Sequence, residues 1–189
     1  MKTAGFVLGP ESSGTRMMTE AFVRLGFFGD AGHDQSLDNL DFSETPERIV
    51  LRRSLPHNNI WPPIQDICRA LRQAGYRNII PVLIVRDKEI TIQSQCSPKN
   101  GHVATEQAAR ARIEYAIPYA YAELAAVDLT PVVVHYEPFI KYPGVRRLFF
   151  QNLGLGEPDM TFRDANRKYR SAAAPRRKSR ARTGRGKRS

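Results

Sequence analysis

Ile79-Ile80-Pro81-Val82-Leu83-Ile84-Val85 is a run of seven residues without a polar side chain. A strand with one face in water alternates apolar and polar residues, so a continuous run rich in β-branched residues marks a strand covered on both faces. Ala4–Leu8 and Pro131–His135 read as further buried strands, and Arg48–Leu51 as a short one. Between them apolar residues recur at helical spacing. Met18, Ala21, Phe22 and Leu25 form one stripe ending at Gly26, and Ile64, Ile67, Cys68 and Leu71 form another closed by Gly75. Asp87–Gln95 reads as a helix. Thr105–Ala126 is an Ala-rich helix with Ile113, Ile117 and Leu124 on one side and a proline, Pro118, expected to kink or divide it. Val145, Leu148 and Phe149 begin a last helix ending near Gly154. Strands alternating with helices dictate an α/β fold of three layers, a central parallel sheet of about four or five strands with helices on both faces. Ligands of such sheets sit at the carboxyl ends of the strands. That singles out the turn after Leu8 and the residues after Val85.

Charge divides the chain. The net charge of +10 suggests a polyanion partner, but Ser171–Ser189 holds Arg176, Arg177, Lys178, Arg180, Arg182, Arg185, Lys187 and Arg188 and no acid. The rest has 21 basic and 19 acidic residues and is nearly neutral. Residues 1–170 are therefore expected to form one α/β domain, and 171–189 a disordered basic tail able to contact nucleic acid or another acidic surface, or simply to solvate. Gly29–Glu47, with Asp30, Asp34, Asp38, Asp41, Glu44 and Glu47, reads as a long acidic loop. No apolar run approaches the roughly 20 residues of a membrane span, and Met1-Lys2-Thr3 leads straight into a strand without a cleavage signal. Two cysteines, Cys68 and Cys96, make neither a disulfide framework nor a metal cluster. Cys68 on an apolar helical face is expected to be buried, and a cytoplasmic location fits this cysteine usage.

The turn after Leu8 reads Gly9-Pro10-Glu11-Ser12-Ser13-Gly14-Thr15-Arg16. Two glycines with four residues between them permit close approach of backbone N–H groups to an anion, and the helix that follows points its positive end at it. Ser12, Ser13 and Thr15 add hydroxyls and Arg16 a fixed charge. This is a phosphate cradle of P-loop type, although an ordinary strand-to-helix turn with a Ser/Thr cap has the same outline. A nucleotide hydrolase would carry Lys and then Ser or Thr where this chain has Thr15 and Arg16. At the second position, Arg86 ends the apolar run and Ser94 follows eight residues later on a helix. Arg86 offers a fork of donors suited to a phosphate and Ser94 a hydroxyl.

These stretches resemble the sulfotransferase superfamily, over roughly residues 4 to 170. Ser12-Ser13-Gly14-Thr15-Arg16 resembles the family's 5′-phosphosulfate loop, with the family's basic residue before Ser-Gly-Thr replaced by Ser12. The Arg86/Ser94 pair is similar to the element that holds the 3′-phosphate. Val132–Leu155 resembles the family's late strand, turn and helix, in which Tyr136 and Glu137 are architectural. Asn166-Arg167-Lys168-Tyr169-Arg170 lies where the family places a basic loop against the 3′-phosphate, making Arg167 and Lys168 donor-binding candidates. The resemblance implies 3′-phosphoadenosine 5′-phosphosulfate (PAPS) as donor, 3′,5′-ADP as product, no metal, and a hydroxyl or amine of a carbohydrate or small molecule as acceptor. A sulfuryl group carries less charge than a phosphoryl group, which accounts for a loop without lysine.

The chemistry then needs a base for the acceptor's proton. In Arg48–Asn58 the family's Lys-x-His-Leu-Pro pattern is met by Leu55 and Pro56, with Arg52 at the Lys position and Ser54 at the His position. His57 is the nearest imidazole and the first choice as base, with Arg52 or Arg53 stabilising the transferring group. His102 and the acidic loop are alternatives. His33 has no partner pattern, and His135 is expected in or near the core. Two other functions fit the same elements. One is a nucleotide or small-molecule kinase, against which the missing loop lysine counts. The other is a non-catalytic nucleotide- or nucleic-acid-binding module.

Overall fold

The computed structural model describes residues 1–30, 46–57, 59–98 and 103–170. His33, His102, the acidic residues between 31 and 45, most of the Ser97–Gly101 loop and the basic tail lie outside the described residues.

Four strands, β1 (Thr3–Pro10), β2 (Arg48–Leu55), β3 (Asn78–Val85) and β4 (Val132–His135), form one sheet in the order β2-β1-β3-β4. All three pairings are parallel. The helices are α1 (Thr15–Arg24), α2 (Ile64–Gln73), α3 (Lys88–Gln95), α4 (Glu106–Ala125), α5 (Tyr136–Lys141), α6 (Pro143–Asn152) and the single turn α7 (Arg167–Arg170). The period of two along a strand explains the layers. Ala4, Phe6 and Leu8 of β1 join Ile67, Leu71, Ala120 and Leu124 in a core beneath α2 and α4. Val7 points the other way, into a core with Met18, Phe22, Phe139 and Phe150 beneath α1, α5 and α6. Because both faces are buried, the strands need the continuous apolar runs seen in the sequence. Cys68 is buried as expected, and burial pushes its thiol up to about 11, so it stays protonated and inert at neutral pH.

Register aligns the carboxyl ends of the strands. Pro10 pairs with Leu55, Leu8 with Leu83, and Val85 with His135. The next residues along the chain, Glu11, Pro56, Arg86 and Tyr136, therefore emerge at one edge of the sheet. The chain passes from β1 to β2 on one side and then to β3 on the other. The strand order thus reverses next to β1, where open α/β sheets place their ligands.

Several details depart from the sequence reading. β2 runs four residues past Leu51, because its register with β1 continues to Pro10. Pro118 does not divide α4, which is one helix of 20 residues. Its ring side is exposed while Ala116 and Ala120 stay buried against the sheet, so packing on both sides of the proline holds the helix together. Tyr136, which follows the expected strand Pro131–His135, begins a short helix. His135 is exposed, not core: β4 is an edge strand of four residues of which only Val134 is buried.

Among the described residues no helix is long and apolar enough to cross a membrane.

Candidate functional site

The turn between β1 and α1 is shaped by two glycines. A Cβ on Gly9 would lie 2.5 Å from Ser13 Oγ and 2.7 Å from the carbonyl oxygen of Ile84, a backbone atom on the neighbouring strand. Gly14 has φ 108°, and a Cβ there would also strike the Tyr136 ring at 2.7 Å. The loop thus lies pressed onto β3 and Tyr136. Gly14 precedes α1 without a side-chain cap, and the first turn of α1 holds no acid. No capping side chain therefore competes for the amide donors at the helix start, where the helix dipole favours negative charge. The loop borders an open cleft of about 940 Å³ lined by Ser12, Gly14, Thr15 and Arg16 together with Arg86 and Ser94.

Arg86 is the most elaborately held side chain of the cleft. It is 8% exposed. Its Nη1 donates to the carbonyl oxygen of Ser12 at 2.5 Å, and its Nε donates to Asn166 Oδ1 at 2.8 Å. The guanidinium lies 4.9 Å from the centre of the Tyr136 ring and 5.8 Å from that of Tyr169. Its Nη2 is buried and has no hydrogen-bond partner among the described residues. Burial lowers the Arg86 pKa from the ordinary guanidinium value, against the pull of Tyr136, Tyr169, Glu137 and Asp164, and the group remains a cation. A buried charged donor without an acceptor is costly, and an anion in the cleft would relieve that cost.

Asn166, fully buried, fixes this arrangement. It accepts from Arg86, and its Nδ2 donates to Glu137 Oε1 at 2.9 Å. Glu137 Oε1 also accepts from the backbone N–H of Asp87 at 3.1 Å. Tyr136 holds the same C-terminal segment. Its hydroxyl accepts from the N–H of Ala165 at 3.0 Å and donates to the carbonyl oxygen of Arg163 at 3.3 Å. Burial raises the Tyr136 phenol pKa, keeping it a donor. Ser94, 3% exposed, is presented by α3. Asp87 caps that helix by accepting from the N–H of Ile90 at 2.9 Å, and Ile92 packs with Val103, Ala109 and Ile113. Burial would raise the Tyr169 phenol pKa. The Lys168 ammonium and Ser94 hydroxyl beside it, with Arg86, instead bring it below the ordinary value.

On the other side of the loop, Arg52, Ser54 and His57 line the cleft from β2 and the turn that follows it. His57 and Ile60 exchange backbone hydrogen bonds of 2.9 and 2.8 Å, closing a tight turn. Asn59 in this turn has φ 68° and accepts from Arg112 of α4. Trp61 then packs edge-on against Tyr115 and Tyr119, at 4.8 and 5.0 Å between ring centres. The His57 side chain is 46% exposed, and its Nδ1 lies 3.8 Å from Oε1 of Glu11, whose side chain is 4% exposed.

Of the residues singled out from the sequence, Glu11, Ser12, Gly14, Thr15, Arg16, Arg52, His57, Arg86 and Ser94 line this one cleft. Gly9, Pro10 and Ser13 are buried behind the loop. Arg53 is buried outside the cleft lining, its Nη1 donating to the carbonyl oxygen of Arg52 at 2.9 Å. Arg167 and Lys168 are exposed on α7, also outside the lining. Asn166, one residue earlier, is the member of that segment that reaches Arg86. Arg163 and Tyr136 complete the cleft wall. The sequence marked the segment that Asn166 opens but put the candidates at Arg167 and Lys168, because nothing local points a lone amide at a partner 80 positions away.

No protein-family model and no curated protein matches this chain.

Proposed function

We propose that this chain is a sulfotransferase, moving a sulfuryl group from PAPS to a hydroxyl or amine of a carbohydrate or small molecule. One observation carries the reading. The buried Arg86 guanidinium touches the Gly9–Arg16 loop through Ser12 and, among the described residues, keeps Nη2 without a partner. Two stretches that resemble separate parts of the sulfotransferase donor site, 74 residues apart, are thereby neighbours in one cleft.

In this reading the loop and the start of α1 hold the 5′-phosphosulfate, and Arg86 with Ser94 holds the 3′-phosphate. Acceptor oxygen or nitrogen attacks sulfur in line with the leaving 5′-phosphate. The new bond to sulfur forms as the bond from sulfur to the phosphate oxygen breaks. The electron pair stays on that oxygen, giving 3′,5′-ADP, and the acceptor's proton passes to His57. Arg16 and Arg52 face charge that develops on the transferring and leaving groups. The buried, turned-away position of Arg53 leaves that task to Arg52.

Isothermal calorimetry with 3′,5′-ADP tests the proposal. Micromolar binding is expected, with 5′-AMP about 100-fold weaker because it offers nothing to Arg86. No heat at millimolar 3′,5′-ADP would overturn the reading. Mg-dependent ATP binding in its place would turn the assignment to a kinase.

A further inference from the structure

A carboxylate inside an anion-binding loop needs a reason. Glu11 belongs to the Gly9–Arg16 loop and lines the cleft, yet its side chain is 4% exposed. A buried carboxylate repels a bound phosphosulfate and costs free energy of desolvation unless cations or donors face it. Its position follows from the sheet. Pro10 and Leu55 are paired across β1 and β2, so Glu11 and the Pro56–His57 step leave adjacent strands side by side. Both residues are then anchored through their backbones. The carbonyl oxygen of Glu11 accepts from Gln95 Nε2 at 2.8 Å, and His57 is fixed by its paired bonds with Ile60. The result is a carboxylate oxygen 3.8 Å from Nδ1 of a half-exposed imidazole at the cleft wall. Arg86 and Ser94 lie on the opposite side of the loop, on and after β3.

We infer that Glu11 is a positioning residue for His57. It holds the neutral imidazole in the tautomer protonated on Nδ1 and so leaves the Nε2 lone pair on the side away from the carboxylate. At 3.8 Å the two are too far apart to share a hydrogen bond, and the negative charge favours the tautomer whose N–H dipole points at it. The pair puts a proton-accepting side, where Arg52 also lies, across the loop from Arg86. The nucleophile taken on that side is one that gives up a proton on attack, an alcohol or amine and not a preformed anion. That last step rests on the sulfuryl-transfer reading, whereas the tautomer does not.

The test is nitrogen-15 NMR of the histidine-labelled full chain near pH 8, with His57→Gln identifying the His57 signals. The expected spectrum has a protonated-type Nδ1 and an unprotonated-type Nε2. In Glu11→Gln, whose amide can both donate and accept, the selection relaxes and the tautomer bonded at Nε2 gains population. Glu11→Asp, which keeps the charge on a shorter arm, restores part of the wild-type pattern. Circular dichroism confirms that each variant is folded. Should Glu11→Gln not fold, the wild-type spectrum decides: Nδ1 unprotonated, or both tautomers equally populated, overturns the inference. An unchanged tautomer in a folded Glu11→Gln also overturns it. Calorimetry with 3′,5′-ADP on the same samples separates the two claims. Binding equal to or tighter than wild type in Glu11→Gln agrees with a carboxylate that does not serve the donor, and a loss of tenfold or more overturns its placement on the acceptor side. If wild type binds no 3′,5′-ADP while its tautomer shifts on Glu11→Gln, the sulfuryl-transfer reading fails and the carboxylate–imidazole pair stands.

Discussion

The two sides of the cleft are built to different standards. Around β3, Arg86 is buried, two of its three nitrogens are bonded within the protein, and its partner Asn166 is tied in turn to Glu137. Around β2, His57 is half exposed, anchored by one tight turn, with Oε1 of Glu11 3.8 Å from its Nδ1. β1, with its loop, stands between them. A group locked by packing and hydrogen bonds suits a ligand that never varies, since nothing reorganises when it binds. A group at an open margin suits a partner admitted from solvent. If the proposed sulfuryl transfer holds, the contrast separates a donor side from an acceptor side by how thoroughly their side chains are fixed.

The contrast can be broken at its centre. Gly9→Ala forces a Cβ against the backbone oxygen of Ile84, which belongs to a central strand and cannot yield. The expected loss is about 3 kcal/mol in denaturant unfolding, with both sides of the cleft disturbed together. A fully stable Gly9→Ala would mean that the loop is not pressed onto β3.

Next in size, Arg86→Ala is expected to weaken 3′,5′-ADP binding about 100-fold, roughly 3 kcal/mol. Arg86→Lys is expected to weaken it about 30-fold, because one ammonium cannot serve Ser12, Asn166 and a phosphate at once. His57→Gln should leave the same affinity within about twofold. If His57→Gln weakens 3′,5′-ADP as much as Arg86→Lys does, the division of the cleft is wrong.

Asn166→Ala sharpens the comparison without touching ligand. It strands Arg86 Nε and removes one of the two hydrogen bonds that Glu137 Oε1 accepts, so about 2 kcal/mol of stability and about tenfold of 3′,5′-ADP affinity should be lost. An unaltered affinity, measured by calorimetry on the folded variant, would show that Arg86 needs no help from the C-terminal segment.

The smallest effect is one of pH. The Tyr169 phenol is held below its ordinary value of 10.0 beside Lys168, Ser94 and Arg86. Raising the pH through that lowered value puts a phenolate next to Arg86, so 3′,5′-ADP affinity should fall about threefold. Tyr169→Phe should remove this fall. Because the folded value is the lower one, ionisation of Tyr169 favours the folded chain, a contribution complete above about pH 10 and lost as pH falls through the folded value. Affinity that is flat with pH in the wild type would place the Tyr169 hydroxyl away from the bound phosphate.

The sequence by itself determined the three layers. Runs such as Ile79–Val85 can satisfy their apolar side chains only between two helical layers, and Gly9 and Gly14 announced where the backbone must turn tightly. It also singled out Arg86 and Ser94, an arginine at the end of one strand and a hydroxyl on the next helix, which is a local pattern, and both line the cleft. Only the tertiary structure decided which strands are neighbours, and so that Glu11 meets His57 and Ser12 meets Arg86. It alone turned Arg53 away from the cleft, exposed His135 and buried Asn166 against Arg86. The physical reason is that periodicity and turn chemistry act over a few residues. Register and the closure of a buried hydrogen-bond network are instead settled by which distant segments bury the most apolar surface while leaving the fewest polar groups unpaired.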